Sequence, residues 1–330
     1  MSARDVPAWG WGGLLALGIA HLLLALRVEP ITTCFYEVVW WAYIFAADGL
    51  LYARRGWSPI ASLRWTYVAL AGWSFAFWLF FEAYNFRLEN WHYVDVPPGF
   101  WTVRLRGLLA FSTVLPALFT TAFLVESLPA VASLRWPRLR AAGRLAPWLI
   151  AAGAAAMALP LLAPRYAFPL IWVGLWQLLD PRNRARGAPS LLADLEAGRP
   201  ARLVALLAAG GICGLLWEAW NYWAGTKWVY TVPFVGEVKL FEMPVLGFLG
   251  FPPFALEAFA AYQTFVRFGW APALHGPSDR VGPGRQGPGV PAWRPRRLSL
   301  ALGVVLLAAY ALAILEGMER WTVRDFRAAG

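Results

Sequence analysis

The sequence predicts an all-α polytopic membrane protein of about nine transmembrane helices, two parallel four-helix repeats plus one C-terminal helix. Three observations carry that prediction. Hydrophobic residues make up 59% of the 330 and charged residues only 15%, where a soluble protein carries roughly a quarter charged. Apolar runs of spanning length recur at about 9–27, 33–53, 63–84, 105–127, 146–163, 166–180, 202–222, 240–267 and 298–317. Finally, Glu82-Ala83-Tyr84-Asn85-Phe86 returns 136 residues later as Glu218-Ala219-Trp220-Asn221-Tyr222.

Each run has its own reason. Arg4 before the apolar run from Trp9 resembles a signal peptide, but the chain leaves that run as Arg27-Val28-Glu29-Pro30, without a small-x-small cleavage site, so the first span is expected to be retained. The second carries Trp40, Trp41 and Asp48, the third is crowded with aromatics from Trp73 to Phe81, and the fourth contains Pro116. Trp40, Asp48 and Ser58 then match Trp172, Asp180 and Ser190. Downstream, Trp91 and Tyr93 match Trp228 and Tyr230, Pro97 matches Pro233, and Pro116 matches Pro252. Matching spans lie four apart, and an even number of crossings preserves direction, so the repeats are expected to be parallel about an axis along the membrane normal. The division follows as 1–135, 136–268, a flexible Gly/Pro/Arg-rich cytoplasmic segment at 269–297, and an appended helix with its tail at 298–330.

Charge sets the orientation. The net charge is +10, and 19 of the 29 Lys and Arg fall in alternate loops on the side of the N-terminus. By the positive-inside rule the N-terminus is cytoplasmic and the C-terminus outside, in a bacterial-type inner membrane. The basic balance is thus a topology signal, and nucleic acid is not an expected partner. Anionic headgroups at the cytoplasmic face are, with Arg294, Arg296 and Arg297 placed to meet them. Two cysteines, Cys34 and Cys213, and three dispersed histidines give no metal site or dithiol, and no Walker A motif is present, so no metal or other cofactor is expected.

Acids inside apolar runs need a purpose, since a carboxylate at membrane depth costs about 2.5–3.5 kcal/mol on insertion scales. In E-A-aromatic-N-aromatic, the acid and amide lie three apart on one helix face, as a polar pocket or as an interhelical clamp. In the second repeat the loop Trp228-Val229-Tyr230 rejoins Phe241-Glu242, which brings a second acid to the boundary of Glu218, and Glu257 follows Pro252-Pro253. Glu218, Glu242 and Glu257 are therefore the expected catalytic acids. Substrate contacts are expected from Asn221, Trp217, Trp220, Trp228 and Tyr230, and in the first repeat from Glu82, Asn85, Trp91, His92 and Tyr93.

Aromatics are 16% of the chain, and interfacial belts explain many of the 21 Trp. Mid-span crowding suits a flat or polyene-like ligand, and ring faces stabilise a carbocation. Trp228-x-Tyr230 followed by Pro252-Pro253-Phe254-Ala255-Leu256-Glu257-Ala258-Phe259 resembles the membrane lycopene cyclase and carotenoid hydratase group over roughly residues 215–265. That group has two adjacent acids just after the Pro; here there is a single Glu257, and the first repeat has Thr120 and Thr121. The resemblance implies proton-initiated chemistry on a carotenoid or other isoprenoid lipid, carried to Glu257 alone. Three functions stand side by side: a metal-free isoprenoid cyclase, hydratase or isomerase; a transporter or flippase for a lipid-like or aromatic solute; and a non-catalytic pigment- or partner-binding membrane subunit.

Overall fold

The computed structural model describes residues 6–274 and 297–322. It is mostly helical: α1 Ala8–Ala25, α2 Ile31–Arg55, α3 Tyr67–Leu88, α4 Phe100–Phe111, α5 Val114–Glu126, α6 Ala142–Leu162, α7 Gly174–Ala185, α8 Ala201–Trp223, α9 Phe251–Arg267 and α10 Arg297–Arg320. Strands β1, Trp91–Val94, and β2, Lys227–Tyr230, form an antiparallel pair. Among the described residues, seven helical segments are long and apolar enough to cross a membrane: 8–25, 31–55, 59–88, 100–126, 142–162, 201–223 and 245–267.

The run expected as a span at 166–180 is broken and is not among these seven. It passes through a turn of helix, Pro164–Ala167, and a 3-10 segment, Phe168–Trp172, before α7 begins at Gly174. Pro164 and Pro169, five residues apart, each remove an amide donor from the ladder, and the helix breaks across them. The expected flexible segment lies largely at 275–296, outside the described residues, together with Arg294 and Arg296.

Glycine sets the closest helix contacts. A Cβ on Gly13 of α1 would lie 2.5 Å from the Ala46 amide nitrogen of α2, and one on Gly49 would lie 2.4 Å from the Gly10 Cα. α6 approaches α7 in the same way, with the Cβ position of Gly153 2.5 Å from the Leu178 amide nitrogen. Between apolar helices such close approach gives the packing that no hydrophobic driving force supplies inside lipid.

Buried acids close the turns after α2 and α7. Asp48 accepts the Ser58 hydroxyl at 2.6 Å, the Ile60 amide at 3.0 Å and the Trp9 indole at 3.1 Å. Asp180 accepts the Leu191 and Leu192 amides at 2.7 and 3.0 Å. Both carboxyls thereby satisfy the first amides of a short following helix, whose Ser58 or Ser190 N-cap accepts a further amide.

Contacts at the two ends join distant parts of the chain. At one end Arg54 and Arg55 reach Ser127, and the Trp136 and Leu139 amides donate to Gly198 and Leu195. At the other, the Gly225 amide donates to Thr32, β1 pairs with β2, and Arg104 holds Glu316 and Glu319 of α10. Between the ends, elements distant in the chain interlock through aromatics. Trp40 of α2 packs on Trp217 and Trp220 of α8 at 5.5 and 4.8 Å, while Trp172 stacks on Phe81 of α3 at 5.3 Å.

Gly13→Leu should lower the melting temperature in detergent, by the equivalent of about 1–3 kcal/mol of overpacking. Gly12→Leu, with nothing within 4 Å of its Cβ position, should leave it unchanged.

Candidate functional site

The site grows from the ends of α3 and α8. On α3, Glu82 and Asn85 share a helix face, and Asn85 takes over the backbone that follows: its Nδ2 donates to the Trp91 carbonyl at 2.6 Å and its Oδ1 accepts the Asn90 amide at 2.9 Å. The helix ends at Glu89 in the left-handed conformation, φ 53°, which turns the chain back toward the bundle. Tyr93 then lies where its hydroxyl donates to Glu82 Oε1 at 2.6 Å. Trp78 and Trp91 donate their indole N–H groups to the same oxygen at 2.7 and 3.2 Å.

The end of α8 has the same arrangement. Asn221 donates to the Trp228 carbonyl at 2.9 Å and accepts the Trp228 amide at 2.9 Å, and the Tyr230 hydroxyl donates to Glu218 Oε1 at 2.7 Å. Burial, then the adjoining carboxyl, push the Tyr93 and Tyr230 hydroxyls well above the ordinary phenol range, so both remain donors. The two strands pair with Trp91 opposite Tyr230 and Tyr93 opposite Trp228.

Beneath this ladder lies a cavity of about 480 Å³ with mostly aromatic and aliphatic walls. Of the residues singled out from sequence, Trp91, Tyr93, Trp217, Glu218, Trp228 and Tyr230 line it. Glu82, Asn85 and Asn221 stand behind the wall and hold those that do. Trp220 faces α1 instead, its indole 3.1 Å from His21 Nε2. His92 is not in the wall, and partial burial lowers its imidazole below the ordinary histidine range.

Glu242 and Glu257 do not join Glu218 on the cavity wall. Glu242 is paired with Lys227. Glu257 lies on α9, fully buried, and its Oε1 accepts the Leu175 amide at 2.8 Å. It thus caps α7, a helix with no side-chain cap of its own. The stretch between these two acids is not one helix: Val245–Gly250 is 3-10 and α9 starts at Phe251, just ahead of the double proline.

Other wall residues were not singled out from sequence as site residues. Tyr36 and Glu37 come from α2, Arg106 from α4, Trp172 from the broken segment, and Phe251 and Phe254 from α9. Each nitrogen of Arg106 donates once, to Glu37 Oε1 at 2.7 Å, the Thr226 hydroxyl at 2.9 Å and the Thr33 carbonyl at 2.8 Å. Its signal was a guanidinium inside an apolar run, which needs a nearby partner.

The decisive difference between the two arrangements is the number of donors on the acid. Glu82 Oε1 accepts three, whereas Glu218 accepts Tyr230 and keeps Oε2, fully buried, without a hydrogen-bond partner. At the position of Trp78, 136 residues on, stands Gly214, whose Cβ would lie 2.2 Å from the Phe251 ring. The Phe251 ring occupies that space, and the indole donor is lost. No group of three or more metal-ligating side chains exists among the described residues. No family model, curated protein or solved structure matches the chain.

Glu257→Leu should cost about 1–3 kcal/mol of stability, because a buried amide of α7 loses its acceptor. Glu257→Gln keeps an acceptor oxygen and should melt close to the parent protein; an equal loss in both would contradict the capping role.

Proposed function

We propose that the cavity is the reaction chamber of a metal-free membrane enzyme acting on an isoprenoid-type lipid, with Glu218 as the acid. The observation that carries this reading is Glu218 itself, a fully buried carboxyl in an aromatic chamber, one oxygen held by Tyr230 and the other without a partner. A general acid needs a free oxygen facing its substrate and a fixed orientation, and Tyr230 supplies the orientation. Delivery of the Glu218 proton to one carbon of a double bond leaves a cation on its neighbour. The ring faces of Trp78, Trp172 and Trp228 stabilise that charge. Ring closure, shift of the double bond or capture of water releases a proton again, and the Glu218 carboxylate takes it back.

The acid is therefore assigned to Glu218 rather than to Glu257, on which the resemblance to lycopene cyclases and carotenoid hydratases rested. Glu257 also keeps a buried Oε2 without a partner, but it does not line the chamber and its other oxygen caps α7, while Glu242 is neutralised by Lys227. A transporter with two rocking halves fits less well. The β1–β2 pair and the Gly225–Thr32 hydrogen bond tie the halves together over the chamber, and rocking would have to break them.

The chamber sits between two parallel four-helix repeats in a nine-span protein. Support for the duplication comes from residues that correspond in sequence making the same bonds: Asn85 and Asn221 with their strands, Tyr93 and Tyr230 with their acids, Asp48 and Asp180 with their caps. The ladder register is itself symmetric, since exchanging the halves turns the Trp91–Tyr230 pair into Trp228–Tyr93. The membrane is a bacterial-type inner membrane. The N-terminus is cytoplasmic, and the strand pair and chamber mouth lie on the outer side, opposite the loops rich in arginine.

Glu218→Gln should reduce conversion of an isoprenoid-containing membrane extract by about 10²–10⁴-fold, the usual worth of a general acid, as read by mass spectrometry of the products. Glu82→Gln should retain conversion and lose only stability, about 0.6 kcal/mol for an interhelical polar contact. Equal effects at the two positions would make both acids structural. A cysteine placed at Ser133 should resist an impermeant thiol reagent in intact cells; labelling there would reverse the orientation.

A further inference from the structure

Resting on the chamber reading above, we infer that the ligand carries a neutral hydroxyl at one end, read at the chamber mouth by Glu37 with Glu218. Two carboxyl oxygens in the chamber wall, Glu37 Oε2 and Glu218 Oε2, are buried and have no hydrogen-bond partner. They belong to α2 and α8, so the two come from opposite halves of the chain and converge on one space. An unsatisfied buried acceptor costs about 1–3 kcal/mol, more when charged, and a ligand that donates to it recovers that cost. A hydroxyl donates its one proton to Glu37 Oε2 and accepts the proton that Glu218, as the acid, carries on Oε2, whereas a pure hydrocarbon leaves both oxygens unmet.

The surrounding charges select among donors and exclude anions. Arg106 is paired with Glu37 and bonded to Thr226 and Thr33, and Lys227 is paired with Glu242, so a phosphate or carboxylate would have to displace a resident carboxylate from either cation. An anionic end group would instead face two carboxyls. Glu37 and Glu242 already neutralise those cations, so an ammonium gains little beyond what a hydroxyl gains. The volume, about 480 Å³, lies in the lower half of the roughly 300–1,000 Å³ of pockets that enclose one drug-sized molecule, which suits one isoprenoid chain of that size with its end group at the mouth.

The test uses the full protein in detergent, with all-trans-retinol as reporter through energy transfer from the tryptophans around the chamber. Geranylgeraniol, its methyl ether, geranylgeranylamine and geranylgeranoic acid then compete for the site. The alcohol should displace retinol at least tenfold more tightly than the ether and the acid, and no more weakly than the amine. Equal competition by alcohol, ether and acid would overturn the hydroxyl inference and leave the chamber standing, as would a tenfold preference for the amine over the alcohol. If no probe binds the parent protein, and Ala110→Trp in the chamber wall changes nothing, the chamber reading falls as well. Glu37→Gln should reduce the preference for alcohol over ether without changing affinity for the ether. An unchanged preference would remove Glu37 from recognition.

Discussion

A carboxyl group inside an apolar bundle must find hydrogen-bond donors, and the way Glu82 and Glu218 find theirs organises the centre of this protein. The asparagine one turn later binds the backbone of the strand that follows, the strand carries a tyrosine, and the tyrosine hydroxyl returns to the acid. Each unit closes on itself, so helix end, turn and strand are fixed together. Because the two strands then pair, two local closures become a roof over the space between the halves. Without either asparagine the strand backbone would lose its anchor, the tyrosine its position and the acid its donor.

Within this shared arrangement the two acid–asparagine–tyrosine units differ at a few positions. Trp78 gives Glu82 a further donor, while Gly214 admits the Phe251 ring and leaves Glu218 with an open oxygen. One level deeper, Tyr43 meets Thr121 at 2.8 Å in the first half, and at the corresponding positions the Leu175 amide meets Glu257 at 2.8 Å. The change from hydroxyl pair to carboxyl and amide accompanies the break before α7, whose freed backbone needs a stronger acceptor than threonine. Glu82 is thus held by three donors on one oxygen, while Glu218 keeps one oxygen without a partner.

Much of this was legible in the sequence, for identifiable reasons. Membrane class and most spans follow from apolar run length, since lipid forces the backbone to satisfy itself within each crossing. The recurrence of Glu, Asn, Trp and Tyr was visible because the unit is local, with every member inside 13 residues of the acid. Glu257 was misleading. Its partner is a backbone amide 82 residues away in a helix whose break depends on Pro164 and Pro169, and backbone partners leave no mark in a residue pattern. Glu37 and Arg106 escaped for a related reason: the pair forms between α2 and α4, and only the packing of those helices brings it to the chamber wall. Trp220 was misplaced because, although it shares Trp40 with Trp217, it lies a step further round α8 and turns its indole to His21 instead of the chamber wall.

The central claim, a chamber that stays roofed by the strand pair while its ligand is bound, is tested by locking that roof. Cysteines at His92 and Val229, opposite each other in the ladder, can be cross-linked and retinol binding followed by energy transfer from tryptophan before and after reduction. Binding that is equal in the locked and reduced protein is the expected result. Loss of binding on locking, with recovery on reduction, would mean that the halves must part at the strands, and would contradict a closed chamber in favour of rocking transport.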